Sequence, residues 1–153
     1  MPAFSTLALL LSIAIFLHVT EEFLFPGGFI EWYQEFVPSR TKGIRPGYLV
    51  WINALFIGVC VLPLYFGAND TGVIIWYSVA ISAAINACFH IWGVIKLAKY
   101  SPGVVTGVLL YIPLFIWGSW QLLSSGVITW QNTIIIASIA IGYHIFSVIR
   151  QGK

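Results

Sequence analysis

One imidazole and two carboxylates lie close together near the start of the chain, in the segment from His18 to Glu22. This segment ends an apolar run from Phe4 to Leu17 that is typical of a membrane-spanning helix. Because residues three and four apart share one face of a helix, Glu21 and Glu22 lie on either side of the line that runs down from His18. Ionisable side chains inside a membrane span usually have a function, so these residues are the first candidate site.

Four predicted helices carry a polar residue about six residues from the same membrane boundary, which is a depth of roughly 9 Å at the helical rise. These residues are His18, Asn53, His90 and His144. Asn86 lies one turn from His90 on the same helix face. All three histidines of the chain therefore fall in one layer, and Glu21 and Glu22 lie beside it.

Imidazole and carboxylate groups in one layer are typical of a catalytic metal site. Helix bundles build such sites by projecting Glu and His inward from facing helices. We predict a divalent metal, zinc or iron, whose ligands come from His18, Glu21, Glu22, His90 and His144. One glutamate would bind the ion, and the other would act as general base or acid on a water held by the ion or on the substrate. The sequence does not distinguish the two glutamates.

The segment from Tyr100 to Thr106 begins another predicted helix on the same side of the membrane. Ser101 as N-cap and Pro102 at the first helical position account for the start of this helix. Tyr100 and Thr106 can also reach the site from its mouth, as hydrogen-bond donors to a substrate headgroup. The predicted catalytic residues are therefore Glu21, Glu22, Asn86, Tyr100 and Thr106.

Three ordered motifs resemble the HXXEE-domain family of small bacterial and archaeal membrane proteins. They are His18-Val-Thr-Glu-Glu22, Asn86-Ala-Cys-Phe-His90 and Tyr100-Ser-Pro-Gly-Val-Val-Thr106. The resemblance covers nearly the whole chain and implies a membrane protein whose His and Glu residues take part in catalysis or metal binding. His144 is not part of the resemblance and rests on predicted depth alone. The resemblance implies no particular reaction.

The elements that must position these residues are predicted to be helices of an all-α integral membrane bundle. The chain of 153 residues is 59% hydrophobic and only 8% charged, which favours a single membrane domain, 1–153. Five runs are long enough to cross a bilayer, at about 3–24, 48–67, 73–95, 104–124 and 131–149. Segment 28–37 mixes aromatic and acidic residues, which predicts a short amphipathic helix in the membrane interface, either as an anchor or as a lid over the site.

The basic residues predict the orientation. With five crossings, all seven Lys and Arg residues fall on one side of the membrane. The positive-inside rule makes that side cytoplasmic, with the N-terminus outside and the C-terminus inside. We therefore predict a multi-pass protein of the cytoplasmic (inner) membrane, whose site opens to the cytoplasmic leaflet. Cys60 and Cys88 lie within apolar runs, which predicts buried thiols rather than a disulfide.

A site bordered by apolar helices predicts an amphiphilic substrate such as a lipid or an isoprenoid, and hydrolysis, oxidation and isomerisation fit the residues equally well. A metal-free enzyme using Glu21 and Glu22 as an acid–base pair is an alternative. An ion or proton transporter is another, although the outer half of each helix lacks ionisable groups. A bis-histidine haem between His90 and His144 would leave the glutamates unexplained.

The predicted partners are the lipid bilayer and the amphiphilic substrate. No basic stripe or motif indicates nucleic acid. The sequence is also compatible with a homo-oligomer, because Trp117, Trp120 and the small residues of the last helix can face either a second copy or lipid.

Overall fold

A computed structural model describes residues 4–37 and 46–150 of the chain. These residues form six helices and no strand, so the prediction of an all-α chain is confirmed. The helices are α1 (Phe4–Phe23), α2 (Phe29–Phe36), α3 (Pro46–Phe66), α4 (Asp70–Leu97), α5 (Val104–Ser124) and α6 (Trp130–Arg150).

Within the described residues, four helices are long and apolar enough to cross a membrane: α1, α3, α4 and α5. This agrees with the expected membrane protein. The last helix, α6, is not among these four, so a fifth crossing and the orientation of the termini stay predictions. Several of the basic residues that predict the orientation lie outside the described ranges, namely Arg40, Lys42, Arg45 and Lys153.

The longest helix, α4, has 28 residues and lies at the centre of the bundle. It packs against α3, α5 and α6, while α1 packs against α3. Its buried face is rich in small residues, including Ala80, Ala83, Ala87 and Gly93, which let helix backbones approach closely. The pairs Leu7–Trp76 and His18–Asn86 show that α1 and α4 run in the same direction. Their C-terminal ends, which carry the candidate site, therefore lie side by side.

A buried tryptophan joins the helices at the end away from the candidate site. The indole Nε1 of Trp76 donates to the carbonyl of Leu7 at 3.0 Å, and the ring is fully buried. Gly118 of α5 lies against this ring, where any side chain would collide with it. The hydroxyl of Ser12 donates to the carbonyl of Cys60 at 3.0 Å. These contacts fix α1 relative to α3 and α4 and so position the opposite ends of the helices.

The two cysteines differ in burial. Both are free thiols, and Cys60 is buried as predicted. Cys88 is exposed, so its predicted burial is wrong. An apolar run shows that a helix lies in an apolar environment, but it does not distinguish the packed face from the face turned outward.

The short helix α2 packs across the C-terminal part of α4. Its aromatic residues Trp32, Tyr33 and Phe36 are buried, whereas its polar residues Glu31, Gln34 and Glu35 are exposed. Gly93 of α4 provides the space for the Trp32 ring, since a Cβ there would collide with it. Lys96 Nζ donates to the carbonyl of Phe36 at 2.7 Å and so satisfies one of the last carbonyls of α2. The segment has the amphipathic character that its sequence predicts.

Helix α5 contains a π turn at Gly107–Tyr111, directly before Pro113. Pro113 has no N–H to donate to the preceding turn, and Ile112 donates to the carbonyl of Gly107, five residues back. Such turns are rare in proteins, but those that occur often lie at functional sites. Here the turn places the ring of Tyr111 4.5 Å from the ring of His18.

Candidate functional site

Three buried side chains meet where the C-terminal ends of α1 and α4 lie side by side. Oε1 of Glu22 is 3.4 Å from Nε2 of His18 and 3.1 Å from Nε2 of His90. One potential ligand atom from each residue lies within 4.8 Å of the other two. None of the three residues is more than 5% exposed. We call His18, Glu22 and His90 the His/Glu cluster.

Both imidazoles of the cluster are held by a hydroxyl at their other ring nitrogen. Nδ1 of His18 is 2.9 Å from Oγ1 of Thr106, and Nδ1 of His90 is 2.9 Å from Oγ of Ser101. The Thr106 hydroxyl donates to Glu21 at 2.6 Å, so it accepts the hydrogen bond from His18 Nδ1–H. The neutral ring of His18 therefore directs the lone pair of Nε2 into the cluster.

Glu21 faces the start of α5 rather than the cluster. Its Oε1 accepts from the Tyr100 hydroxyl at 2.6 Å and from the Val105 N–H at 3.0 Å. Its Oε2 accepts from the Thr106 N–H at 2.7 Å and from the Thr106 hydroxyl at 2.6 Å. The N-cap of α5 is Gly103, which has no side chain for capping. Glu21 therefore caps α5 from a different helix, where its negative charge is also stabilised by the helix dipole.

The Tyr100 hydroxyl is committed to this carboxylate. Partial desolvation of the hydroxyl and the hydrogen bond to Glu21 raise the pKa of Tyr100, so the phenol stays protonated and remains a donor at neutral pH. The predicted role of Tyr100 and Thr106 was donation to a substrate headgroup. In the structure, both hydroxyls donate to Glu21 instead.

Asn86 lies between the two imidazoles of the cluster. Its Nδ2 is 2.9 Å from Nε2 of His18 and 3.2 Å from Nε2 of His90. In this orientation the amide donates one hydrogen to each ring, and both Nε2 atoms are unprotonated acceptors. Each Nε2 has a single lone pair, and the amide already occupies it, so a ligand at these atoms must displace the Asn86 hydrogens. An ionised Glu22 carboxylate in this buried place is costly unless a cation or a proton balances it.

Close packing surrounds the cluster. Gly103 has φ +98°, and a Cβ built on it would lie 2.7 Å from Cε1 of His18 and 3.0 Å from Nε2 of His90. The Trp32 ring stacks on His90 with centroids 5.5 Å apart, and Tyr111 lies against His18. The rings of the cluster therefore have little freedom to move.

A cleft of about 330 Å³ opens from the cluster. His18, Glu22 and Asn86 line it, together with apolar residues of α2 and α3 and a polar group opposite that comprises Asn53, Tyr143, His144 and Ser147. Nδ1 of His144 donates to the carbonyl of Ala140 at 2.9 Å. The neutral ring of His144 therefore keeps Nε2 as an acceptor.

The structure brings together only some of the residues that the sequence predicts as metal ligands. It brings together His18, Glu22 and His90 and adds Asn86 to them. Among the described residues, Glu21 and His144 do not belong to the group of potential ligands. Glu21 is bound to the start of α5, and His144 lines the cleft at a distance from the cluster.

Three residues of the site were not predicted. Ser101 was interpreted as an N-cap, but α5 begins at Val104, and the fully buried Ser101 hydroxyl meets His90 instead. Gly103 and Tyr111 contact the imidazoles of the cluster. Ser101 and Gly103 lie in the short turn that links α4 to α5. This turn is the sequence signal for both residues, because it keeps them close to the His90 ring.

A family profile that spans these residues identifies the family of the chain. The profile described as "Protein of unknown function with HXXEE motif" matches residues 9–118. The chain belongs to the HXXEE family. The match contains all of the cluster and the turn before α5, and it ends before α6 and His144.

A curated relative extends over most of the chain. The "Uncharacterized protein YrkK" of Bacillus subtilis (strain 168) is 28% identical over 147 residues, which cover 89% of this chain and 86% of the relative. No solved structure matches the chain significantly. The chemistry of the site must therefore be argued from its own geometry.

Proposed function

We propose that the protein is a membrane-embedded, metal-dependent enzyme that acts on the polar end of a lipid-like or isoprenoid substrate. The observation that carries the proposal is the His/Glu cluster, in which two imidazole Nε2 atoms and a carboxylate oxygen converge within 4.8 Å. Two neutral imidazoles and one carboxylate are typical of catalytic metal sites that keep a position open for substrate or water. Zinc and iron(II) both suit this set of ligands.

Two of the three distances within the cluster are close to those expected around a tetrahedral ion. Ligand atoms about 2.1 Å from a tetrahedral centre are about 3.4 Å apart, and the two Nε2–Oε1 distances are 3.4 and 3.1 Å. The hydroxyls of Thr106 and Ser101 supply the outer contacts that fix histidine ligands in their orientation. An ion at this position would balance the charge of Glu22 and would replace the Asn86 hydrogens on the two Nε2 atoms.

The metal would supply Lewis acidity toward a substrate oxygen. His18, His90 and Glu22 would hold the ion, and Asn86 would orient either the ligands or the substrate beside them. Glu21 is saturated with hydrogen bonds, so we assign it the positioning of Thr106 and thereby of His18. We assign the proton transfer to His144, because it faces the same cleft with Nε2 as an acceptor.

The cleft favours an amphiphilic substrate. Its volume of about 330 Å³ is at the lower end of the range for small-molecule sites. Polar atoms gather at the cluster and around His144, while Leu49, Phe56 and other apolar side chains line the remainder. A substrate with a polar head at the cluster and an apolar body along α3 would match both the polar and the apolar parts of the cleft.

We place this site at the cytoplasmic leaflet of the inner membrane. Lys96 lies in the last turn of α4, and Lys99 follows it, at the end of the bundle that carries the cluster. The positive-inside rule makes this end cytoplasmic. A fifth crossing by α6, whose 21 residues equal the length of α3, would place the N-terminus outside and the C-terminus inside.

Elemental analysis of the detergent-purified protein tests the proposal. We expect about one zinc or iron ion per wild-type chain and loss of that ion in the variants His18→Ala, Glu22→Gln and His90→Ala, because each removes a ligand. The preparation must use no chelator, and its affinity tag must contain no histidine.

His144→Gln is the matched control, since it removes a histidine from the cleft but not from the cluster. We expect this variant to keep the ion. A metal content that falls equally in His144→Gln would contradict the assignment of three ligands. A wild-type protein free of metal would contradict the metal site itself.

Removal of the Thr106 hydroxyl is expected to weaken metal binding without abolishing it. Thr106→Val keeps the shape of the side chain but deprives His18 Nδ1 of its acceptor. Loss of such an outer contact lowers metal affinity by about 10–100-fold. Titration against a metal-binding indicator measures the change, and Thr106→Ser should restore nearly all of the affinity. Equal affinities in the valine and wild-type proteins would show that Thr106 does not position the ligand.

A second candidate function is metal-free acid–base catalysis, and the geometry of Asn86 favours it. The amide donates to both Nε2 atoms, which is compatible with a proton on Glu22 rather than an ion between the rings. Glu22 would then transfer that proton to the substrate, as in an isomerase. Glu21 is fully hydrogen-bonded, so Glu22 alone, rather than the Glu21/Glu22 pair, would carry this chemistry. Metal-free protein that retains activity lost in Glu22→Gln would favour this candidate.

A further inference from the structure

A second cleft lies between α1 and α3, next to the one that contains the cluster. It has a volume of about 400 Å³. We call it the α1/α3 groove. Phe16 of α1, Leu24 directly after α1 and Val50 of α3 form part of its wall and are 62%, 76% and 68% exposed. Both helices are candidate membrane spans, so the groove opens toward the hydrocarbon of the bilayer.

The wall of the groove is apolar. None of its described lining residues is ionisable, and its two polar side chains are already hydrogen-bonded to their own helices. Thr20 Oγ1 donates to the carbonyl of Phe16 at 2.9 Å, and Asn53 Nδ2 donates to the carbonyl of Leu49 at 2.9 Å. An occupant therefore meets little that would bind a polar group.

The groove and the cleft that opens from the cluster share part of their walls. Val19, Phe23, Leu49 and Asn53 line both. Val19 directly follows His18 in α1, so the shared wall begins beside the cluster. The two clefts are therefore adjacent and lie against the same four side chains.

We propose that the α1/α3 groove is a lateral access route and binding subsite for the hydrocarbon chain of a single-chain amphiphile. The head of this amphiphile lies at the His/Glu cluster, and its chain leaves between α1 and α3 toward the bilayer. The inference rests on the proposed function for the chemistry at the head, and it adds the position of the chain and the direction from which the substrate comes.

The dimensions favour one chain rather than two. The two clefts, of about 330 and 400 Å³, together stay within the range of small-molecule sites. The bilayer is as apolar as the groove, so the hydrophobic effect adds little to chain binding there. The shape of the groove therefore selects the hydrocarbon chain, and contacts at the cluster bind the polar head of the amphiphile.

Photolabelling of the full chain in phosphatidylcholine vesicles tests the groove. The probes are a fatty alcohol and a polyprenol, each carrying a diazirine at the chain end in one version and beside the head in another. We expect the chain-end versions to label α1 and α3 around Thr20 and Ala54, and the head versions to label α4 around Asn86. The more strongly labelling alcohol shows whether the groove fits an acyl-type or a prenyl chain.

Ala54→Trp is the decisive variant. Ala54 lines the groove and is exposed, so the indole fills the groove without entering the core. Overpacking of this kind is expected to lower both labels by about tenfold. Val61→Trp adds the same bulk to an exposed position of α3 outside both clefts and should leave both labels unchanged.

The outcomes separate the groove from the metal site. Equal labelling of wild-type and Ala54→Trp proteins, or head labelling that never reaches α4, would overturn the groove. Elemental analysis of the same samples reports on the proposed metal independently. Labelling that is lost in Ala54→Trp from a protein that contains no metal would support the groove and overturn the metal centre.

Discussion

The Gly103→Ala variant is expected to lose the proposed metal and about 2–5 kcal/mol of folding stability, which is the sum of a backbone penalty and an overpacking penalty. Gly103 has φ +98°, a conformation in which a Cβ is strained. That Cβ would also lie 2.7 Å from His18 and 3.0 Å from His90. Neither ring can retreat, because Tyr111 and Trp32 pack against them.

Gly126→Ala separates the two penalties. Gly126 has φ +72°, and nothing lies within 4 Å of a Cβ built on it. This variant should lose only the backbone contribution of about 1–2 kcal/mol and keep the proposed metal. Thermal unfolding in detergent, with elemental analysis of the same samples, measures both quantities. Equal destabilisation of the two variants, with metal retained in both, would show that Gly103 does not control the packing of the imidazoles.

The sequence predicts most of the fold because the bilayer limits what a chain of this composition can do. Backbone polar groups in hydrocarbon must be satisfied internally, so long apolar runs can only be helices. The amphipathic character of α2 follows from alternation of aromatic and acidic residues at helical spacing. The exposure of Cys88 could not be predicted from the sequence, because both the lipid-facing and the packed face of a membrane helix are apolar.

Sequence position predicts the depth of the site residues but not the rotation of the helices that carry them. The rise of a helix gives the height of His18, His90 and His144 from sequence position alone. Which of them meet depends on how each helix is turned about its axis, and this is set by contacts such as Trp76 with Gly118. Glu21 and Glu22 illustrate the difference. They are adjacent in the chain, yet one contacts the imidazoles and the other contacts the start of α5.

The Glu21→Ala variant is expected to lose about 3–5 kcal/mol of folding stability, as is usual when one partner of a buried charged network is removed. Glu21 is 5% exposed and accepts hydrogen bonds from Tyr100, Val105 and Thr106. Without it, the first N–H groups of α5 lose their cap, since Gly103 offers none. Chemical unfolding of the purified variants measures the loss.

Comparison with Tyr100→Phe shows how far the donors act as one unit. That variant removes a single donor to Glu21 and should lose about 1.5–3 kcal/mol, the usual range for a hydrogen bond to a charged group. In Glu21→Ala the same change should have almost no effect, because its acceptor is already gone. Metal affinity should fall in Glu21→Ala but not vanish, since the cluster of His18, Glu22 and His90 is intact. A fully stable Glu21→Ala protein without metal would instead make Glu21 a ligand, as its position in the sequence first indicated.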